Sequence, residues 1–175
     1  MPRILKTQGI VLKKNELLNL DNFITIFTKD LGKISVLAKG IKKINSRRAP
    51  HIQTGNLIDL VVYSKNDRYF LQESNIISGF STLKKDAKKI SMIYYFFLVI
   101  DKLLPENSHE EEIYKLTLRF LVELSKIKKV KNEIVEKYLN NVLSKLGYVR
   151  EHQSLEKLHA LVEDLLGEKV HFFVI

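Results

Sequence analysis

The chain contains no cysteine and no tryptophan, and it has only three prolines and seven glycines in 175 residues. Without cysteine there can be no disulfide, no thiolate zinc site and no cysteine nucleophile. Scarce proline and glycine leave no Pro- or Gly-rich linker, so a multidomain arrangement needs directly packed units. The longest apolar run, Met92 to Ile100, is nine residues, against the roughly 20 needed to span a bilayer as a helix. The start of the chain has no apolar signal-like core. These absences lead us to expect a soluble, cytoplasmic protein without membrane association. Negative charge is also missing from one stretch: no Asp or Glu occurs between Asp30 and Asp59.

That stretch holds the main positive signal. From Lys39 to Arg48, five of ten residues are cationic: Lys39, Lys42, Lys43, Arg47 and Arg48. The overall balance is +9, and residues 1–82 carry 13 Lys/Arg against 6 Asp/Glu. Self-repulsion gives folding no reason to gather charge this way, whereas an anionic partner does. A solvated surface loop is the plain alternative. Lys13 and Lys14 at the end of a first strand and Lys33 and Lys39 around a third extend the basic set. Gly40 would let the backbone approach a phosphate closely. The expected DNA-binding set is therefore Lys13, Lys14, Lys33, Lys39, Gly40, Lys42, Lys43, Arg47 and Arg48, with the basic loop mobile. Tyr63, Tyr69 and Phe70 are candidates for stacking on bases; core packing is the expected role of Phe70, and for the tyrosines either role fits.

Period-2 alternation predicts strands at Thr7–Lys14, Asp21–Lys29, Lys33–Lys39, Asn56–Ser64 and Arg68–Ser74, the last two joined at Asn66-Asp67. Five short strands with a long third connection suggest an OB-type barrel, with an SH3-like barrel fitting the count almost as well. From Leu83 onward the spacing is helical. One helix has Ile90, Ile93, Tyr94, Phe97, Leu98 and Leu104 on its buried face and stops at Pro105. A second follows Ser108, with Glu110 to Glu112 in its first turn. A third spans about Asn132–Leu146, a fourth Ser154–Leu166, and an extended apolar tail runs from Lys169 to Ile175. The expected class is α+β: an OB-fold barrel over residues 1–80, then an all-helical domain over 81–175.

Enzymatic signals are weak. There is no Walker loop, Rossmann glycine pattern, nucleophile elbow or HExxH. Among the five histidines only His152 and His159 are near neighbours, and no carboxylate stands at a zinc-like offset. We expect no catalytic residues, no metal and no cofactor.

The run GIVLKK, a polar loop, then DNFITIFTKDLGKISVLAKGIKK and SRR resembles the amino-terminal domain of the RecO family of bacterial recombination mediators. The most specific part is Thr28–Gly40 followed by Ser46-Arg47. LLPE (Leu103–Glu106) and YLNNVLSKLGY (Tyr138–Tyr148) are similar to the helical domain of that family, so the resemblance covers about residues 3–150. It implies an OB-fold plus helical domain that binds single- and double-stranded DNA and anneals complementary strands without ATP. It further implies action with RecR and binding of the acidic tail of single-stranded DNA-binding protein, which helps RecA load. By position, Lys39, Gly40 and Arg47 match the family's basic motif. Many members continue into a four-cysteine zinc module after the position of Gly147-Tyr148. Here VREHQSLEKLHALVEDLL follows, which points to a compact member without zinc. The alternative reading is an OB-fold RNA- or ribosome-binding module without annealing activity.

Overall fold

The structure, a computed structural model, describes residues 3–171. Five strands come first: β1 (Arg3–Glu16), β2 (Asn22–Thr28), β3 (Gly32–Ala38), β4 (Leu57–Lys65) and β5 (Arg68–Ser78). They close into a barrel in the order β1-β2-β3-β5-β4. All neighbours are antiparallel except β3 and β5, which run parallel through Val36–Tyr69 and Leu37–Phe70. That parallel closure across a long β3–β4 connection is the OB arrangement, and the SH3-like alternative falls away.

The barrel follows from alternation. Ile24 and Ile26 of β2, Ile34, Val36 and Ala38 of β3, and Ile58, Leu60 and Val62 of β4 point inward and form one buried cluster with Val11 and Leu71. A five-stranded sheet must coil sharply to close. Bulges at Val11/Lys13 in β1 and at Val61/Val62 in the β4–β5 pair supply the bend. The two-residue turn between β4 and β5 has positive φ at both Asn66 (51°) and Asp67 (56°). This primed geometry suits the twist of a hairpin, and Asn and Asp tolerate it best after glycine.

Two compact units divide the chain, and the division crosses the expected boundary at residues 80/81. Unit 1 takes the residues up to Gly79 and also Leu104–Tyr114; unit 2 takes Phe80–Leu103 and the residues from Lys115 onward. Sequence periodicity places 104–114 among helices, but Pro105 stops the preceding helix and the chain becomes extended there. Asn107 N–H donates to the Lys33 carbonyl at 2.8 Å, Glu106 forms an isolated parallel bridge with Lys33, and His109 Nε2 bonds the Lys29 carbonyl at 3.0 Å. Gly32, with φ +70°, passes so close that a Cβ there would lie 2.0 Å from the Ser108 carbonyl oxygen. Tyr114 meets Phe27 edge-on, ring centroids 5.6 Å apart. Burial, followed by the charges of Asp30 and Asp59, pushes the Tyr114 phenol up to about 12.

Unit 2 holds a short 3₁₀ turn at Leu83–Lys85 and the helices α1 (Ala87–Leu103), α2 (Glu111–Lys126, whose first residues belong to unit 1), α3 (Glu133–Lys145) and α4 (Leu155–Leu166). Phe96, Phe120 and Tyr138 form its aromatic centre, with Phe96–Phe120 centroids at 4.4 Å and Phe120–Tyr138 at 5.4 Å. Of the face of α1 expected to be buried, Ile93, Phe97 and Leu104 are buried and Tyr94 is exposed, but Tyr95, Phe96, Val99 and Ile100 are buried as well. A helix apolar on nearly every side carries no phase in its sequence. Ser154 precedes α4 without making a side-chain cap; Glu136 of α3 accepts from the Leu155 N–H at 2.9 Å instead. Asn140 locks the α3–α4 connection by donating to the Gln153 carbonyl and accepting from its N–H, both at 2.9 Å. Of the expected extended tail Lys169–Ile175, residues 172–175 lie outside the described residues.

A pH prediction arises in unit 2. The Tyr138 hydroxyl donates to Glu123 at 2.7 Å, and Lys137 approaches the same carboxylate at 3.0 Å. Both interactions hold the Glu123 carboxyl below its ordinary 4.5, the Tyr138 bond being the larger cause. A depressed carboxyl stabilises the fold above its unfolded value and loses that contribution as pH falls through the folded value. Glu123→Gln is therefore expected to flatten the acid limb of a thermal-stability profile below pH 4.5. Parallel acid limbs for the two proteins would show that the contact is stability-neutral.

Candidate nucleic-acid interface

The basic stretch after β3 is a chain of hydrogen-bonded turns, not the mobile loop expected. Gly40 adopts φ +62°, and its N–H donates to Asp21 Oδ1 at 2.7 Å. Further turns close through Lys43 N–H to the Gly40 carbonyl (3.3 Å), Ser46 to Lys43 (2.9 Å) and His51 to Arg48 (3.0 Å). Ile41 and Ile52, fully buried, plug the barrel core and anchor the stretch at both ends. Ile41 inside the basic run and Ile52 just beyond it go in and pin the run against the barrel, while Ile44 between them stays fully exposed.

The nine expected DNA-binding residues separate on this geometry. Lys13, Lys39, Lys43 and Arg47 are exposed, and Gly40 sits among them at the turn. Lys14 is half-buried, 3.7 Å from Glu16. Lys42 reaches across to the β1–β2 loop, where its ammonium donates to the Leu17 carbonyl at 2.6 Å and lies 3.5 Å from Glu16. Arg48 is a staple: its guanidinium donates to the Leu71 carbonyl at 2.8 Å and to the Lys39 carbonyl at 2.9 Å, tying the end of β3 to β5. Lys33 leaves the set. It is 6% exposed, beneath the returning segment 104–114, and a phosphate reaches it only if that segment lifts.

The outer face of the barrel adds what the charge pattern does not show. Cross-strand register places Phe23 opposite Leu37, Leu37 beside Phe70, Phe70 opposite Tyr63, and Tyr63 opposite Ile4. None of these five belongs to the buried barrel cluster. They form a continuous outward row across β2, β3, β5, β4 and β1. Tyr63 and Phe70 stack at 4.8 Å with 20° between planes, and the Lys39 ammonium lies 5.3 Å from the Phe70 ring centre. Phe23 is 41% exposed. Beside this row runs a polar one, Lys13–Thr25–Ser35. Lys65 and Arg68, both exposed, flank the β4–β5 turn next to Tyr63 and Phe70.

One stacking candidate reverses its expected role, and another, for which either role fitted, takes the core one. Phe70, expected in the core, faces out; Tyr69 packs against the barrel core. Leu71 points inward, and alternation then forces Phe70 outward. Phe23, Leu37 and Lys65 escape a reading by charge and strand count. For Phe23 and Leu37 the available signal was phase: each lies one residue from a core position, Ile24 for the first and Val36 and Ala38 for the second. Apolar side chains on both faces of β2 and β3 conceal it.

Residues 1–80 match the family model described as Recombination protein O N terminal. The amino-terminal domain belongs to the RecO family. Beyond this RecO domain the similarity continues into the helices. The chain is 30% identical over 144 residues to the DNA repair protein RecO of Acetivibrio thermocellus, covering 82% of this chain and 57% of that protein. It is 29% identical over 147 residues to the DNA repair protein RecO of a Thermoanaerobacter species, covering 84% and 59%. For the RecO protein of Caldanaerobacter subterraneus the identity is 27%, covering 84% and 60%. The chain thus spans about 60% of the length of these three RecO relatives. Among the described residues no group of three or more His, Asp or Glu side chains is placed to hold a metal ion. No described helix is long and apolar enough to cross a membrane.

Proposed function

We propose that this chain binds single-stranded DNA along the outward row Phe23–Leu37–Phe70–Tyr63 and promotes pairing of complementary strands without ATP. The observation that carries this reading is the row itself, an apolar and aromatic strip on an OB barrel with exposed cations alongside it: Lys13, Lys39, Lys65 and Arg68. Aromatic faces stack on any base, and lysine and arginine neutralise the phosphates that separate them. The β2–β3 face and the loops at its ends are where OB barrels bind oligonucleotides. The names of the relatives, DNA repair protein RecO, favour a place in DNA repair and recombination. On this reading the protein is a mediator and not an enzyme. It binds single- and double-stranded DNA, works with RecR, takes the acidic tail of single-stranded DNA-binding protein, and helps RecA onto coated strands.

Annealing is the test. Two strands repel, and a surface that holds each one loosely lowers that cost without occupying the base edges that must pair. Labelled complementary oligonucleotides should anneal faster with protein than without it, equally with and without ATP. The rate should fall once salt screens the contacts. Four or five engaged phosphates give a log–log salt slope of about −3 for a single strand. Replacing Lys39, Lys43 and Arg47 by alanine should flatten the slope by roughly 2. Arg48 is kept, because removing a staple would confound folding with binding. DNA binding with no acceleration of annealing at any salt would favour the plain binding module. Tighter binding to RNA of equal sequence would favour the RNA-directed form of it.

A further inference from the structure

At one end of the outward row stand two fully exposed aliphatic side chains, Leu18 in the β1–β2 loop and Ile44 in the basic stretch, with Leu20 half exposed beside Leu18. Single exposed aliphatics are ordinary on protein surfaces. These are not single. The two loops are bonded side by side: Lys42 N–H donates to the Leu20 carbonyl at 3.0 Å, Lys42 Nζ to the Leu17 carbonyl at 2.6 Å, and Gly40 N–H to Asp21 at 2.7 Å. The β1–β2 loop is also closed on itself, Leu17 N–H to the Asp21 carbonyl at 3.2 Å and Asp21 N–H to Asn19 Oδ1 at 2.9 Å. A buried plug, Ile41, sits between the basic turn and the barrel core. Both tips are therefore held out on braced loops.

We infer that Leu18 and Ile44 form an apolar wedge that enters the base stack where single-stranded DNA meets duplex. The inference rests on the proposed DNA-binding row. The surroundings select the occupant. The two loops that carry the tips, with the residues next to them, hold Lys14, Lys39, Lys42, Lys43 and Arg47 against two acids, Glu16, 3.5 Å from Lys42, and Asp21, which accepts from the Gly40 N–H. An apolar point in a cationic collar fits a ligand with an apolar interior and an anionic outside. Stacked bases between two phosphate backbones have that form, and aliphatic side chains are the type that enter base steps. The location gives the junction. Phe23, the first ring of the row, is the second residue of β2, just after the β1–β2 loop, so a strand lying on the row leaves it at the tips. A duplex forming from that strand presents its last pair there. The wedge separates the first unpaired base from that pair and passes it to Phe23.

The test uses the full chain and a duplex with a single-stranded overhang whose first unpaired base is 2-aminopurine, a probe that brightens when unstacked. Saturating protein should raise its fluorescence. In Leu18→Ser/Ile44→Ser that rise should vanish and junction affinity should fall about tenfold, the size of one lost base-stacking contact. Affinity for an unpaired oligonucleotide should stay unchanged, and so should the unfolding midpoint, since neither side chain is buried. A rise equally large in the variant, or no rise with the wild-type chain bound, would overturn the wedge while leaving the row intact. Failure of the wild-type chain to bind any strand at low salt would overturn the row and the wedge together. Anionic phosphatidylglycerol vesicles form a separate arm. Capture that depends on Leu18 and Ile44, without a 2-aminopurine signal, would assign the tips to a lipid surface and reject the wedge.

Discussion

Alanine at both Phe23 and Tyr63 is expected to weaken single-strand binding by roughly a hundredfold while leaving the barrel folded. Stacking of one base on one aromatic ring contributes about 1–3 kcal/mol, and two losses near the low end of that range give this factor. Phe23 and Tyr63 are chosen over Phe70 because removing Phe70 loses both the Tyr63 stack and the Lys39 ammonium contact, whereas removing Tyr63 loses the stack and leaves the Lys39 contact in place. Neither Phe23 nor Tyr63 belongs to the buried barrel cluster, so the unfolding midpoint should move little. The salt slope should also hold, since no phosphate contact is lost. An affinity loss below threefold in the double variant, read by fluorescence anisotropy, would move the strand off this face. The complementary charge variant, Lys39, Lys43 and Arg47 to alanine, should do the opposite and flatten the slope. The two together separate stacking from phosphate neutralisation.

Gly32→Ala is expected to cost far more stability than any of the surface substitutions. Gly32 has φ +70°, and a Cβ would sit 2.0 Å from the Ser108 carbonyl oxygen and 2.5 Å from its carbon. Left-handed backbone alone costs an L-residue about 1–2 kcal/mol. The collision is with backbone, so segment 104–114 must move. That movement breaks the Asn107–Lys33 and His109–Lys29 bonds and uncovers Tyr114 against Phe27. A total of at least about 3 kcal/mol follows, in the tail of single-substitution effects. For a unit of this size the unfolding midpoint should fall by roughly 10–20 °C. Gly40→Ala is the control: its φ of +62° carries similar strain, but its Cβ meets only the flexible Lys43 side chain at 3.3 Å. It should cost about 1–2 kcal/mol. Equal midpoints for the two variants in a calorimetric scan would mean that the Ser108 approach is not what holds 104–114 in place.

Neither the aromatic row nor the Gly32 approach can be read from the linear chain, although the barrel that carries them can. The barrel was legible because its strands carry an inward series at period 2, such as Ile34, Val36 and Ala38, and because Asn66-Asp67 announces a hairpin turn. The basic run from Lys39 to Arg48 was legible as charge. Which cations are free was not. Arg47 and Arg48 are adjacent and chemically identical, yet Arg47 is exposed and Arg48 is bonded to three carbonyls. Lys33 reads as a strand-edge cation, but residues more than seventy positions later in the chain cover it.

By itself the sequence determined the strand and helix types, the concentration of positive charge in the first half, and a chain of 175 residues without cysteine. Each of these depends on local period or composition, which a linear reading contains. The tertiary structure alone decided the outward row, because Phe23, Leu37, Phe70 and Tyr63 become neighbours only through the register of four strands and the parallel closure of β3 on β5. It also decided the return of 104–114 to the first unit and the braced pair of tips at Leu18 and Ile44. Contacts between distant residues are selected by which backbone groups still need hydrogen-bond partners and which apolar faces still need cover after the local elements have formed. Neither quantity exists until the barrel has closed.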